Sequence, residues 1–148
     1  MSWRVLRPQL GTLLETINTI QEVSVVPKIK FSGYPAVHVV PSENSGDYET
    51  NRENVRTYAF TIRLFYSTKG VTLEQALTGL EEVVDSVIDA FDEEDQKGDD
   101  TRVVGLGLPA NYIFLNIFAV PGKWGELPED QLVMAEIVVK TRISVDVS

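Results

Sequence analysis

The stretch that most constrains this fold runs from Phe31 to Tyr66: FSGYPAVHVV, then PSENSGDYETNRENVR, then TYAFTIRLFY. Two apolar runs flank a polar segment of about sixteen residues, 41–56. In TYAFTIRLFY, Tyr58, Phe60, Ile62, Leu64 and Tyr66 alternate with Thr61 and Arg63. Side chains along a strand point to opposite faces in turn, so this run is an inner strand with one apolar face. Ala36–Val40 is too short and too uniformly apolar for a helix and reads as a strand covered on both faces. In the intervening segment Ser, Asn, Asp, Gly and Glu dominate, and only Tyr48 and Val55 are apolar. It has too little apolar surface to bury itself, so it is expected to project as a loop.

Around this stretch the chain alternates between helical and strand periodicity. Leu6, Leu10, Leu13, Leu14 and Ile17 recur at spacings of three and four, which predicts a helix over Arg4–Ile20. Glu22–Lys30 reads as extended, and Ser32–Pro35 as a turn. The strongest helix is expected from Thr72 to about Asp95. Leu73, Leu77, Leu80, Val84, Val87, Ile88 and Phe91 give it an apolar stripe, and Thr72 with Gln75 fits a capping box. Arg102–Leu108 suggests a short strand, Ile113–Val120 a buried strand, and Pro121–Gln131 a second loop centred on Trp124. Leu132–Val147 closes the chain as a long strand. Ala135, Ile137, Val139, Thr141, Ile143, Val145 and Val147 share one face, and Glu136, Lys140, Arg142, Ser144 and Asp146 the other. That half-charged face meets either water or another subunit. The order of elements predicts one α+β domain over 1–148, a two-layer fold with a mostly antiparallel four- to five-stranded sheet and two main helices packed on one face.

The net charge of −9 is concentrated in one element. Between Thr72 and Asp100 stand eleven acids and one base, Lys97, which gives −10 and leaves the rest of the chain at +1. Such a chain lacks the basic face that general nucleic-acid binding needs. The acids are expected on a solvated helix face. The run at about 92–101 places anions at a helix C-terminus, against the macrodipole, and is expected to form a flexible acidic linker. With no cysteine, disulfides and thiolate metal sites are excluded. The N-terminal MSWRVLRPQLGTLLETI has neither an uninterrupted apolar run nor a small-residue cleavage site, so neither a signal peptide nor a membrane span is expected.

Chemical motifs are weak. His38 is the single histidine and sits within AVHVV, where a packed histidine is expected rather than a general base. The pairs Glu81/Asp85 and Asp85/Asp89 fall on the solvated helix face rather than in a cleft that would displace their pKa values. DEEDQKGDD has the composition of a calcium loop, but aligning Gly98 with the loop's glycine puts Lys97 at a ligand position and Val104 where a bidentate Glu belongs. Gly105–Ala110 matches G-x-G-x-x-A formally, yet Pro109 and a strand-like run follow where a helix should open. No catalytic, cofactor or metal site is assigned.

Taken together, the stretch Phe31–Tyr66, the helix LEEVVDSVIDAFD and the C-terminal NYIFLNIFAVPGKWGELPEDQLVMAEIVVKTRISVDVS resemble the tail terminator proteins of long-tailed bacteriophages. The resemblance spans most of the chain and rests on overall pattern, with no short diagnostic motif. It implies a structural virion protein at the head-proximal end of the tail, made in the host bacterial cytoplasm. It implies an α+β domain assembling as a hexameric ring that caps the tail tube, stops its polymerisation and offers a docking surface to the head or neck. The partners it implies are further copies of the chain, the major tail tube protein and a head-completion or neck protein, with DNA only passing through the lumen. No enzyme activity and no cofactor are implied. The family transfers no functional residues by motif. From the residues themselves, the candidate contacts are Tyr48, Glu49, Arg52 and Arg56 of the projection, the exposed aromatic Trp124, and Lys140 and Arg142 on the charged strand face. Two other readings are carried beside this one: a head-closure or neck connector of the same virion, and a small cytoplasmic acidic enzyme or metal-binding module.

Overall fold

The computed structural model describes residues 2–28, 30–42, 53–98 and 101–146. Helix α1 spans Ser2–Glu15, followed by strands β1 (Glu22–Ser24), β2 (Ala36–Pro41) and β3 (Glu53–Ser67). Helix α2 covers Leu73–Gln96; strands β4 (Tyr112–Leu127) and β5 (Leu132–Asp146) complete the fold. The five strands form one sheet in the order β1-β2-β3-β5-β4, in which only β1 and β2 are parallel. This is the expected α+β fold.

The long strands pair as their alternation requires. Phe60 stands opposite Val139, Ile62 opposite Ile137 and Leu64 opposite Ala135, all buried. Directly opposed residues of an antiparallel pair share a face, so these rows form one apolar surface. Leu6, Leu10 and Leu14 of α1 and Leu80, Val84, Val87 and Phe91 of α2 pack on it and complete the core. Both helices therefore lie on the same side of the sheet. The N-terminus of α2 is closed by the predicted capping box: the Gln75 amide donates to Thr72 Oγ1 at 3.1 Å, and the Thr72 amide to Gln75 Oε1 at 3.0 Å.

Several sequence expectations are corrected. Helix α1 ends at Glu15 rather than Ile20, because Thr16 Oγ1 donates to the Leu13 carbonyl at 2.6 Å and the amides of Thr16 and Ile17 bond three residues back. Such local side-chain bonds compete with the helical ladder. Among the described residues of Glu22–Lys30, only Glu22–Ser24 is strand. Arg102–Leu108 is a series of turns, with Gly105 and Gly107 at φ of 86° and 77°, conformations open to glycine but closed to a strand. The segment Pro121–Leu127 is not loop: β4 continues through it, absorbing Pro121 and its neighbours in a register shift between Pro121 and Trp124. An edge strand tolerates this, since the missing N–H of proline faces no ladder partner there. The turn proper is the short 3₁₀ segment Pro128–Asp130, closed by Gln131 at φ 56°.

Of the expected projecting segment 41–56, Pro41 and Glu53–Arg56 belong to the sheet. The Ser42 amide continues the ladder to the Ala59 carbonyl at 2.8 Å. Of the expected acidic linker, residues 92–96 are helix. Glu94 departs from the solvated face altogether. It is fully buried, and its Oε2 accepts the Val104 amide at 2.6 Å while Lys97 Nζ stands 3.5 Å from Oε1. Asp95 Oδ1 accepts the Ile117 amide at 2.8 Å, tying the end of α2 to β4.

Candidate functional site

The sheet has one face under the helices and one without them. Register assigns residues to the helix-free face: His38, Arg63 and Glu136 in one row, Val40, Thr61, Val138 and Val120 in the next, then Ala59, Lys140 and Phe118. β4 forms the free edge beside β5. Ile113, Phe118 and Val120 stand opposite Ser144, Lys140 and Val138, and they are 57%, 39% and 48% exposed. An edge strand read as buried is thus apolar on a face that its own domain leaves open. An apolar row of this kind, beside charged residues, marks an interaction surface.

The other end of this face is built by the β1–β2 connection folding back onto it. His38 is buried, with its ring edge-on to Phe65 at a centroid distance of 5.2 Å, and Phe31 packs on Phe65 at 5.5 Å. His38 Nδ1 lies 2.7 Å from the Lys28 carbonyl, and Arg63 Nη1 lies 3.4 Å from Nε2. The Lys28 amide also points at Nδ1, at 3.0 Å. A proton on Nδ1 serves the Lys28 carbonyl and lets Nε2 accept from the guanidinium, whereas a bare Nδ1 accepts the Lys28 amide. Burial pushes the His38 pKa below the ordinary histidine value; the Lys28 carbonyl opposes that shift, and the Arg63 charge adds to it. Arg63 Nε donates to Glu136 Oε2 at 2.8 Å across the ladder. Nearby, Glu22 accepts from the Ser32 amide at 2.7 Å and the Ser32 hydroxyl at 2.8 Å, and pairs with Lys28. The Lys28 bond, followed by the two from Ser32, lowers the Glu22 pKa to about 2.

Between these groups lies a groove of about 610 Å³ lined by Lys28, Lys30, His38, Arg63, Phe65 and Met134. A smaller one of about 330 Å³ lies along Ala59, Val120, Val138 and Lys140. The arrangement suits binding better than chemistry. His38 is spent on structural hydrogen bonds, and it faces a guanidinium rather than a carboxylate that could orient it as a base. Among the described residues no three His, Asp or Glu side chains gather closely enough to hold a metal ion.

The residues singled out from sequence do not form one cluster. Tyr48, Glu49 and Arg52 lie outside the described residues. Arg56 stands opposite Ile143, on the helix side of the sheet, with its guanidinium carbon 6.0 Å from the Tyr112 ring. Lys140 and Arg142 pair with Ala59 and Thr57 on the opposite face. Trp124 is 46% exposed on β4 opposite Ala135. Sequence reasoning missed Ile113, Phe118 and Val120 as surface residues; the signal was present in IFLNIFAV, which is apolar without alternation. It also missed the groove, because the folding back of residues 25–28 and 30–31 leaves no periodic trace.

No family model matches the chain, and no curated protein matches it. Among solved structures, the chain is similar to one from the "Virion of native gene transfer agent (GTA) particle". The TM-score is 0.54 at 16% identity, over 97% of this chain and 91% of that one. At this identity the similarity is one of fold, and it extends over nearly the whole of both chains.

Proposed function

We propose that the chain is a structural virion protein of a phage-like particle, and more narrowly a tail terminator. In this reading it forms a hexameric ring that caps the tail tube, ends its polymerisation and presents a surface to the head or neck. The observation that carries the reading is the fold shared along nearly full length with a chain of a gene transfer agent virion. The surface chemistry supports it. Exposed apolar residues along β4 and a half-charged, helix-free sheet face suit contacts between subunits better than a reaction centre. A closed ring needs two different patches on each subunit, and a two-layer domain with unlike faces supplies them. DNA would pass through the lumen without specific binding.

The test is assembly. Sedimentation velocity and negative-stain electron microscopy, on the protein alone and mixed with tail tube subunits, should reveal six-membered rings and capped tubes. Monomers under both conditions would overturn the reading. Co-purification with heads but never with tubes would move the protein to the neck.

A further inference from the structure

We propose that the helix-free face of the sheet is the seat for the acidic outer face of α2 from a second copy of this chain. The inference rests on the ring reading and specifies the contact that builds the ring. Between Leu73 and Gln96 there is no basic residue. Glu74, Glu81, Glu82, Asp85, Asp89 and Asp92 are all exposed and recur at helical spacing on the side turned away from the core. Two such faces repel each other, so α2 cannot pair with α2 of a second copy. The same chain carries the complement. Lys28, Lys30 and Arg63 rim the larger groove of the sheet face, and Lys140 rims the smaller one. Lys28 and Arg63 already pair with Glu22 and Glu136, so the charge offered to an incoming acidic helix rests mainly on Lys30 and Lys140. The net negative charge of the chain is confined to Thr72–Asp100, and the remainder, sheet included, sums to +1.

The dimensions agree. A 24-residue helix is about 36 Å long, and 15-residue strands such as β3 and β5 span about 50 Å. The helix fits along the face. The apolar floor of the grooves would lie beneath the aliphatic stems of the lysines and glutamates, whose charged ends meet at the rim. Because the helix layer and the open sheet face lie on opposite sides of one domain, the contact is heterologous. Each subunit offers its helix to one neighbour and its sheet to the next, a head-to-tail pattern that makes a ring where the rotation between copies closes. Charge complementarity of this kind selects orientation and is screened by salt.

The absence of cysteine allows a direct test. Thr78→Cys places a thiol on the exposed face of α2, and Val120→Cys places one on the open sheet face; both positions are exposed and neither alters a charge. With a short bismaleimide, an equimolar mixture of the two single variants should give a covalent dimer at least tenfold more abundant than either variant alone. The dimer should disappear at 1 M salt, where screening falls to about 3 Å. Oligomers in sedimentation without this cross-link, or equal cross-linking within each variant alone, would overturn the contact and leave the ring reading standing. Absence of any oligomer, with tube protein present or not, would overturn both.

Discussion

Glu94, on the last turn of an otherwise solvated acidic helix, is fully buried and accepts the backbone amide of Val104 at 2.6 Å. A buried carboxylate carries a large desolvation cost unless its oxygens are engaged. Here one oxygen holds the Val104 amide and Lys97 approaches the other. The pair fixes the end of α2 to the turn-rich segment before β4. That segment holds Arg102, whose guanidinium carbon lies 3.7 Å from the Phe114 ring centre.

The first prediction follows from that pair. Glu94→Ala leaves the Val104 amide buried without its acceptor, and an orphaned buried donor costs about 1–3 kcal/mol. Urea unfolding should register a loss in that range. Glu94→Gln, which keeps an acceptor oxygen, should lose less. If alanine and glutamine variants matched wild type, the bond would contribute nothing to the fold.

The single histidine gives the second prediction. Burial depresses the folded-state pKa of His38, so the unfolded chain binds the proton more readily. The stability this supplies is fully present above the ordinary histidine value near 6.5 and is lost as pH falls from there towards the folded value. Wild type should therefore lose stability as pH falls below about 6.5, and His38→Asn should be flatter there. With one histidine in the chain, the imidazole proton resonance reports the midpoint without ambiguity. A midpoint at or above 6.5 would contradict the assignment.

Much of the architecture was legible in the chain, for physical reasons that differ by element. β3 and β5 carry strict alternation because one face packs under helices and the other does not, so Phe60, Ile62, Ile137 and Val139 declared their side. α2 announced both its cap, at Thr72 and Gln75, and its apolar stripe. β4 misled, since an edge strand with exposed Phe118 and Val120 has the same uniform apolarity as a strand buried on both faces. Trp124 misled differently: proline and glycines around it signal a loop, but a register shift in an edge strand accommodates them. Arg56 is assigned by sequence to the polar projection with Tyr48 and Arg52; the register instead places it within β3, on the face opposite to that of Lys140 and Arg142. The burial of Glu94 depends on where Val104 folds back, and nothing in DEEDQKGDD encodes that.

Glu22 supplies the third prediction, at the opposite end of the pH scale from neutrality. The Lys28 ammonium and the two Ser32 donors stabilise its ionised form and lower its pKa to about 2. A carboxyl group with a depressed folded-state pKa stabilises the fold above its unfolded value, near 4.5, and that contribution vanishes as pH falls through about 2. Carboxyl-detected NMR should place the Glu22 midpoint near 2 in wild type and move it upward in Lys28→Met. A wild-type midpoint above 4 would show that the interaction does not persist in solution.

The last prediction concerns the open face of the sheet. Phe118 and Val120 are 39% and 48% exposed, so each still has about half of its surface covered within the monomer. Threonine is compatible with a strand, and losing half-covered apolar side chains costs stability in proportion to the area covered. The double variant Phe118→Thr, Val120→Thr should stay folded and lose on the order of 1–3 kcal/mol in unfolding. Its assembly should weaken as well, because truncating apolar side chains at the centre of an interface commonly costs more than 1 kcal/mol each. For two residues that is a weakening of roughly thirtyfold or more in subunit association. Sedimentation across a concentration series should show rings giving way to monomers at concentrations where wild type stays assembled. Equal association in both proteins would remove this face from the interface. A loss of stability beyond that range would instead show that the two side chains serve the monomer's own core.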